Sequence, residues 1–117
     1  MDDALTIHTQ TDAARGLCTI KLNGPLLVSN IQSFKHQLRD LETPSLIVDM
    51  TDVSHVDSVG IGVLVNALMS RKKHGGSLVL SGVSERVMTV LKGTQVDQLF
   101  RFAASTSDAQ SMVAEAK

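Results

Sequence analysis

With a single cysteine, Cys18, the chain cannot form an internal disulfide. Its first residues, Met1-Asp2-Asp3, are acidic where a secretion leader is basic and then apolar, so a reducing cytoplasm is the expected compartment. Long hydrophobic runs are missing too. The richest, Val59 to Met69, is interrupted by Gly60, Gly62 and Asn66 and is far shorter than the roughly 20 residues of a membrane span, which excludes direct membrane insertion. No excess of one charge exists: 11 Lys plus Arg stand against 12 Asp plus Glu, a formal net charge of -1. Such a balance produces no field to draw in a polyanion, so nucleic acid and anionic membrane surfaces are not expected partners. The densest basic run, Arg71-Lys72-Lys73-His74, falls where a helix should end and reads as a complement to the negative end of its dipole.

The usual signatures of catalysis and cofactor binding are absent as well. His8, His36, His55 and His74 are scattered and none has an i,i+4 partner, so no metal site is expected. Gly60-Ile61-Gly62 opens like a dinucleotide fingerprint, but Val65 stands where the third glycine belongs. No Gly-Lys-Ser or Gly-Lys-Thr phosphate loop occurs, and no cofactor is expected. His55, Asp57 and Ser58 supply the residue types of a hydrolytic triad within four positions, yet adjacent side chains on one short loop cannot stack nucleophile, base and orienting acid in line. Without a Gly-x-Ser-x-Gly elbow around Ser58, the chain is not expected to be an enzyme.

What the chain does contain is the material of one packed domain. Its 117 residues are 43% hydrophobic and 20% charged, consistent with a single domain over 1–117 and a core from about 4 to 113. Leu5 and Ile7 alternate with polar neighbours, and after Thr11 to Gly16 so do Cys18, Ile20 and Leu22, predicting a hairpin with Cys18 a buried thiol. Asn23-Gly24-Pro25 ends the second strand. Ser29 and Gln32 have capping-box spacing ahead of Ile31, Phe34, Leu38 and Leu41, which predicts a helix over about 30–42. Thr43-Pro44 breaks it, and Leu46-Ile47-Val48 reads as a strand buried on both faces. A second helix is predicted from Ser58 to about Lys73, stopped by Gly75-Gly76. Leu78-Val79-Leu80 is another buried strand, and Ser84 caps a third helix with Val83 and Met88 as its hydrophobic staple. Leu99 to Phe102 reads as a last short strand and Ser107 with Gln110 as the start of a last helix, ending in a fraying Glu115-Ala116-Lys117. Strands separated by helices need crossover connections, so the last four strands should be parallel. The fold class is α/β: a mixed β-sheet with an initial hairpin followed by alternating strands and helices.

Asp49 and Asp57 could form an acid–base pair, but each has a simpler structural role. Asp57 precedes the second helix and should cap it through the amides of Val59 or Gly60, and Asp49 should fix the loop after its strand. Ser58 then stands in the first turn, where free N–H groups and the helix dipole can carry a phosphate without unfolding the helix. By position alone the simpler reading is an ordinary first-turn residue, and spacing does not settle the choice.

Leu46-Ile47-Val48-Asp49-Met50-Thr51-Asp52-Val53, followed by Val56-Asp57-Ser58-Val59-Gly60-Ile61-Gly62-Val63-Leu64, resembles the signature of STAS domains, specifically bacterial anti-sigma-factor antagonists. Gly75 to Leu80, Val87 to Leu91 and Val96 to Phe100 fall where that family has its later elements. The resemblance implies that Ser58 is phosphorylated by a histidine-kinase-like serine kinase that doubles as the anti-sigma factor. It further implies that the unphosphorylated protein binds this kinase, that phosphorylation releases it, and that a metal-dependent serine phosphatase restores binding. Where the family commonly carries an acidic residue after Gly24, this chain has Pro25-Leu26-Leu27-Val28. If Ile61, Leu64, Val65 and Leu68 face the sheet, helical geometry turns Val59, Val63, Asn66 and Ser70 outward. The expected partner surface is therefore Asp57, Val59, Gly60, Val63 and Asn66, joined by Leu26 and Leu27. A different reading within the family is an accessory subunit of a lipid-transport ABC complex. A scaffold of a stress-signalling assembly is a third, though 117 residues leave no room for its additional domain.

Overall fold

The structure, a computed structural model, describes residues 4–115. The acidic start Met1-Asp2-Asp3 and the tail residues Ala116 and Lys117 lie outside the described residues. An antiparallel hairpin, β1 (Thr6–Asp12) and β2 (Leu17–Asn23), is turned by a short 3-10 segment at Ala13–Arg15. Then follow α1 (Gln32–Asp40), β3 (Ser45–Asp52), α2 (Ser58–Lys73), β4 (Ser77–Ser81), α3 (Glu85–Gly93), β5 (Arg101–Ala103) and α4 (Thr106–Glu115). The five strands form one sheet in the order β1-β2-β3-β4-β5, and β2 to β5 are mutually parallel, as the alternation of strands and helices requires.

The period-2 patterns divide the sheet into two faces. Cys18, Ile20 and Leu22 share one face with Leu46, Val48, Leu78 and Leu80, and α1, α2 and α3 cover it through Phe34, Leu64 and Leu91. Leu17, Ile47 and Val79 point to the other face, where α4 alone packs on them with Ala109 and Val113. Val48, Ile47, Val79 and Leu80 are fully buried because the central parallel strands are covered on both sides.

The helix starts show where local signals compete with distant ones. Ser84 caps α3, its hydroxyl accepting from the Val87 amide, as predicted. The predicted box of Ser29 and Gln32 does not form. α1 begins only at Gln32, without a side-chain cap. The chain ahead of it is committed elsewhere: the Asn30 side chain accepts from the Leu27 amide and donates to the Pro25 carbonyl, leaving Ser29 exposed in a turn. α4 begins at Thr106, one residue before Ser107, and the hydroxyl of Ser105 accepts from the Asp108 amide. The predicted strand Leu99 to Phe102 is displaced to Arg101–Ala103, because Asp97–Leu99 forms a 3-10 turn instead.

Arg71 is more than a charge at the end of a dipole. It is buried, and its guanidinium donates to the carbonyls of Leu38 (3.2 Å), Leu41 (3.3 Å) and Thr43. These are carbonyls at and just beyond the end of α1, which no further helical turn can satisfy. Nearby, Gly76 lies so close to Pro44 that a Cβ there would overlap its carbonyl, a contact that sets the start of β4 beside the start of β3. Replacing Arg71 by Met should leave the buried Leu38 carbonyl and the part-buried carbonyls of Leu41 and Thr43 without this donor and lower stability by about 2–3 kcal/mol in urea unfolding. Arg71→Lys keeps the charge but loses the fork and should fall between.

Candidate functional site

The site forms where the loop between β3 and α2 meets the loop after β2. Leu26 makes an isolated parallel bridge with Val56: its N–H donates to the His55 carbonyl and its carbonyl accepts from the Asp57 amide, both at 3.0 Å. This pairing draws the segment after Pro25 against the start of α2. The close approach requires a glycine at position 60, since a Cβ there would stand 2.6 Å from the Leu26 carbonyl oxygen and 2.9 Å from its Cβ.

Asp57 is extended and caps α2, with Oδ1 accepting from the Gly60 amide at 2.9 Å. Its second oxygen, Oδ2, accepts from the Val28 amide, also at 2.9 Å. One carboxylate thus holds the helix start and the preceding loop together. Burial pushes its pKa up, but the amides of Gly60, Val28 and Val59, together with nearby His55, outweigh that and hold the carboxyl below its ordinary value. Asp49 acts locally within β3, where its Oδ1 accepts from the amide (3.1 Å) and hydroxyl (2.7 Å) of Thr51.

Ser58 is the first residue of α2 and is exposed, with its hydroxyl at the positive end of the helix. Around it the expected partner surface is redrawn. Val59 and Asn66 are exposed and Leu27 is half-buried, but Leu26, Gly60 and Val63 belong to the interior. Leu26 is buried because its bridge to Val56 seats it under Gly60. Val63 is buried because α1 as well as the sheet lies against α2, so the buried arc spans Gly60, Ile61, Val63, Leu64, Ala67, Leu68 and Arg71. Val65, placed toward the sheet by periodicity, is only partly buried. The exposed apolar surface beside Ser58 is instead made by Val28, 63% exposed, and Val59, 37% exposed. Val28 was legible only as the last residue of the apolar run that starts at Leu26; its amide bond to Asp57 is what turns it outward beside the helix.

Because the pKa of Asp57 is depressed in the folded protein, its contribution is complete above the unfolded carboxyl's pKa and is lost as pH falls through the lower folded value. The stability advantage of the wild type over Asp57→Asn, measured by urea unfolding, should be present at neutral pH and vanish progressively below about pH 4. Asp57→Ala should cost about 1–2 kcal/mol at neutral pH. Gly60→Ala, which drives a methyl into the Leu26 backbone, should cost about 1–3 kcal/mol.

Comparison with known proteins places the chain in a family. Residues 8–109 match the STAS domain. The anti-sigma-B factor antagonist of Bacillus subtilis is 31% identical over 84 residues, which are 72% of this chain and 72% of that protein. An anti-sigma factor antagonist from Mycobacterium paratuberculosis has the same fold, with a TM-score of 0.85 over 97% of both chains at 16% identity. So does the phosphorylated form of the Bacillus cell fate determinant SpoIIAA, with a TM-score of 0.73 over 92% of this chain and 99% of that one, again at 16% identity. With its mixed five-stranded sheet, its capped second helix and this match over most of its length, the chain belongs to the STAS domain family.

Proposed function

We propose that this chain is a cytoplasmic, non-enzymatic regulator of the anti-sigma-factor antagonist kind, switched by phosphorylation of Ser58. In the unphosphorylated state it binds an anti-sigma factor that is also a serine kinase of the histidine-kinase-like ATPase type. Phosphorylation releases it, and a metal-dependent serine phosphatase resets the cycle. The observation that carries this reading is the placement of Ser58: an exposed hydroxyl on the first residue of a capped helix, flanked by exposed Val28 and Val59. The name of the Bacillus subtilis relative supports the antagonist role.

The geometry suits a switch that leaves the fold intact. A phosphoserine adds about −1.5 to −2 charges near pH 7, and the helix N-terminus is the part of the fold that stabilises an anion. The cap does not depend on the hydroxyl, since the Gly60 and Val28 amides are already held by Asp57. Outside the helix the effect is opposite. A partner covering Val28 and Val59 would have to desolvate the phosphate beside the Asp57 carboxylate, which is costly without a cation to pair it.

Intact-mass measurement of protein isolated from its own cells should show one added phosphoryl group that phosphatase removes and Ser58→Ala abolishes. Ser58→Ala should retain affinity for the kinase, and Ser58→Asp should lose about tenfold or more. Both should keep wild-type circular dichroism. A phosphoryl group that persists in Ser58→Ala would overturn the assignment, and stable capture of an ABC-transporter ATPase in place of a kinase would favour the accessory-subunit reading.

A further inference from the structure

Away from Ser58, α1 and α2 flank an open cleft of about 180 Å³. Its apolar lining comes from Leu38 on α1 with Val63 and Ala67 on α2, all of them largely buried. Its polar lining comes from two pairs at i,i+4 spacing: Lys35 and Arg39 along α1, Asn66 and Ser70 along α2. At one end stands the buried Arg71. Among the described residues no carboxylate lines this space. Glu42 appears only in the adjoining, wider depression, which shares Leu38, Arg39, Ser70 and Arg71 with the cleft.

No acidic side chain pairs with these cations among the described residues. Lys35 and Arg39 are exposed like charges one helical turn apart, an arrangement that raises the energy of both. Among the described residues neither makes an ion pair, and Arg71 donates through its two terminal nitrogens to neutral carbonyls while its buried Nε has no partner. Three cationic side chains therefore bear on an apolar recess with Asn66 and Ser70 on its far wall. An anion bound at its mouth would relieve the repulsion, and an attached apolar segment would cover Leu38, Val63 and Ala67.

We propose that the α1–α2 cleft binds a small amphiphilic carboxylate, with its head between Lys35 and Arg39 and a short alkyl tail over Leu38, Val63 and Ala67. The volume limits the ligand to a short chain, and the absence of a lining carboxylate selects the sign of its head.

Titration of the intact protein with octanoate, followed by amide resonances, tests this against two probes with the same tail, octanol and octylammonium. Octanoate should give saturable shifts concentrated in Lys35–Arg39 and Val63–Arg71, octanol should bind about tenfold more weakly or worse, and octylammonium should not compete. Lys35→Glu with Arg39→Glu changes two exposed side chains and should abolish octanoate binding while circular dichroism and urea unfolding stay near wild type. Equal binding of octylammonium, octanoate shifts that never saturate, or octanoate affinity unchanged in the charge-reversed variant would each overturn the proposal. So would tight binding by a short acidic peptide with no response to octanoate, because the surface would then be a protein-docking face.

Discussion

One oxygen of the Asp57 carboxylate accepts from the Gly60 amide at the start of its own helix, and the other accepts from the Val28 amide, 29 positions before Asp57 in the chain. Ser58 acquires its position from this arrangement rather than from any bond of its own. With the cap in place the first turn of α2 is held, the Leu26 backbone lies against Gly60, and Val28 is tied to Asp57, the residue before Ser58, with its side chain exposed. These contacts join two stretches of chain at one place, although most of the residues that make them lie on or next to a loop.

The other end of α2 is secured in the opposite sense. Asp57 holds the segment leading into α1, and Arg71 holds the carbonyls at the end of α1 and beyond. An acid at the N-terminus and a cation near the C-terminus both oppose the helix dipole while fastening a neighbouring segment. The 16-residue helix, about 24 Å long, is thereby strapped to α1 and its flanks near both ends. Between the straps the two helices meet through small and medium side chains, and that is where the cationic cleft lies.

Signals carried by neighbouring residues were legible in the sequence. The alternation of Cys18, Ile20 and Leu22 assigns the inner face of β2 correctly, and Asp57 and Ser84 declare their helices by preceding them. What depended on a distant neighbour was not. Ser29 and Gln32 match a capping box, but the chain ahead of them is held by Asp57 and by the bridge to Val56. Val63 falls on the outer arc of α2 if only the sheet is considered, and turns inward once α1 lies alongside. Leu26 looks like an exposed apolar loop residue until its bridge is known. Arg71 sits among basic residues that the helix dipole already explains, so nothing nearby in sequence distinguishes it from Lys72 and Lys73. Gly60 was legible as a small residue, but its need to be small comes from Leu26.

Strand order in this sheet follows chain order from β1 to β5. No strand has to be inserted between two that are already paired, so each can dock on an edge completed before it was made. A ribosome releases the chain N-terminus first, and the sheet can therefore be laid down during synthesis, from the local hairpin outward. The surface around Ser58 is built from residues 26–60, so its contacts can form before the last two strands emerge. α4, which emerges after all five strands, is the element that covers Ile47 and Val79 on the opposite face. Until it arrives the growing sheet carries one covered face and one open one, so the second core of Leu17, Ile47 and Val79 is completed only when α4 docks.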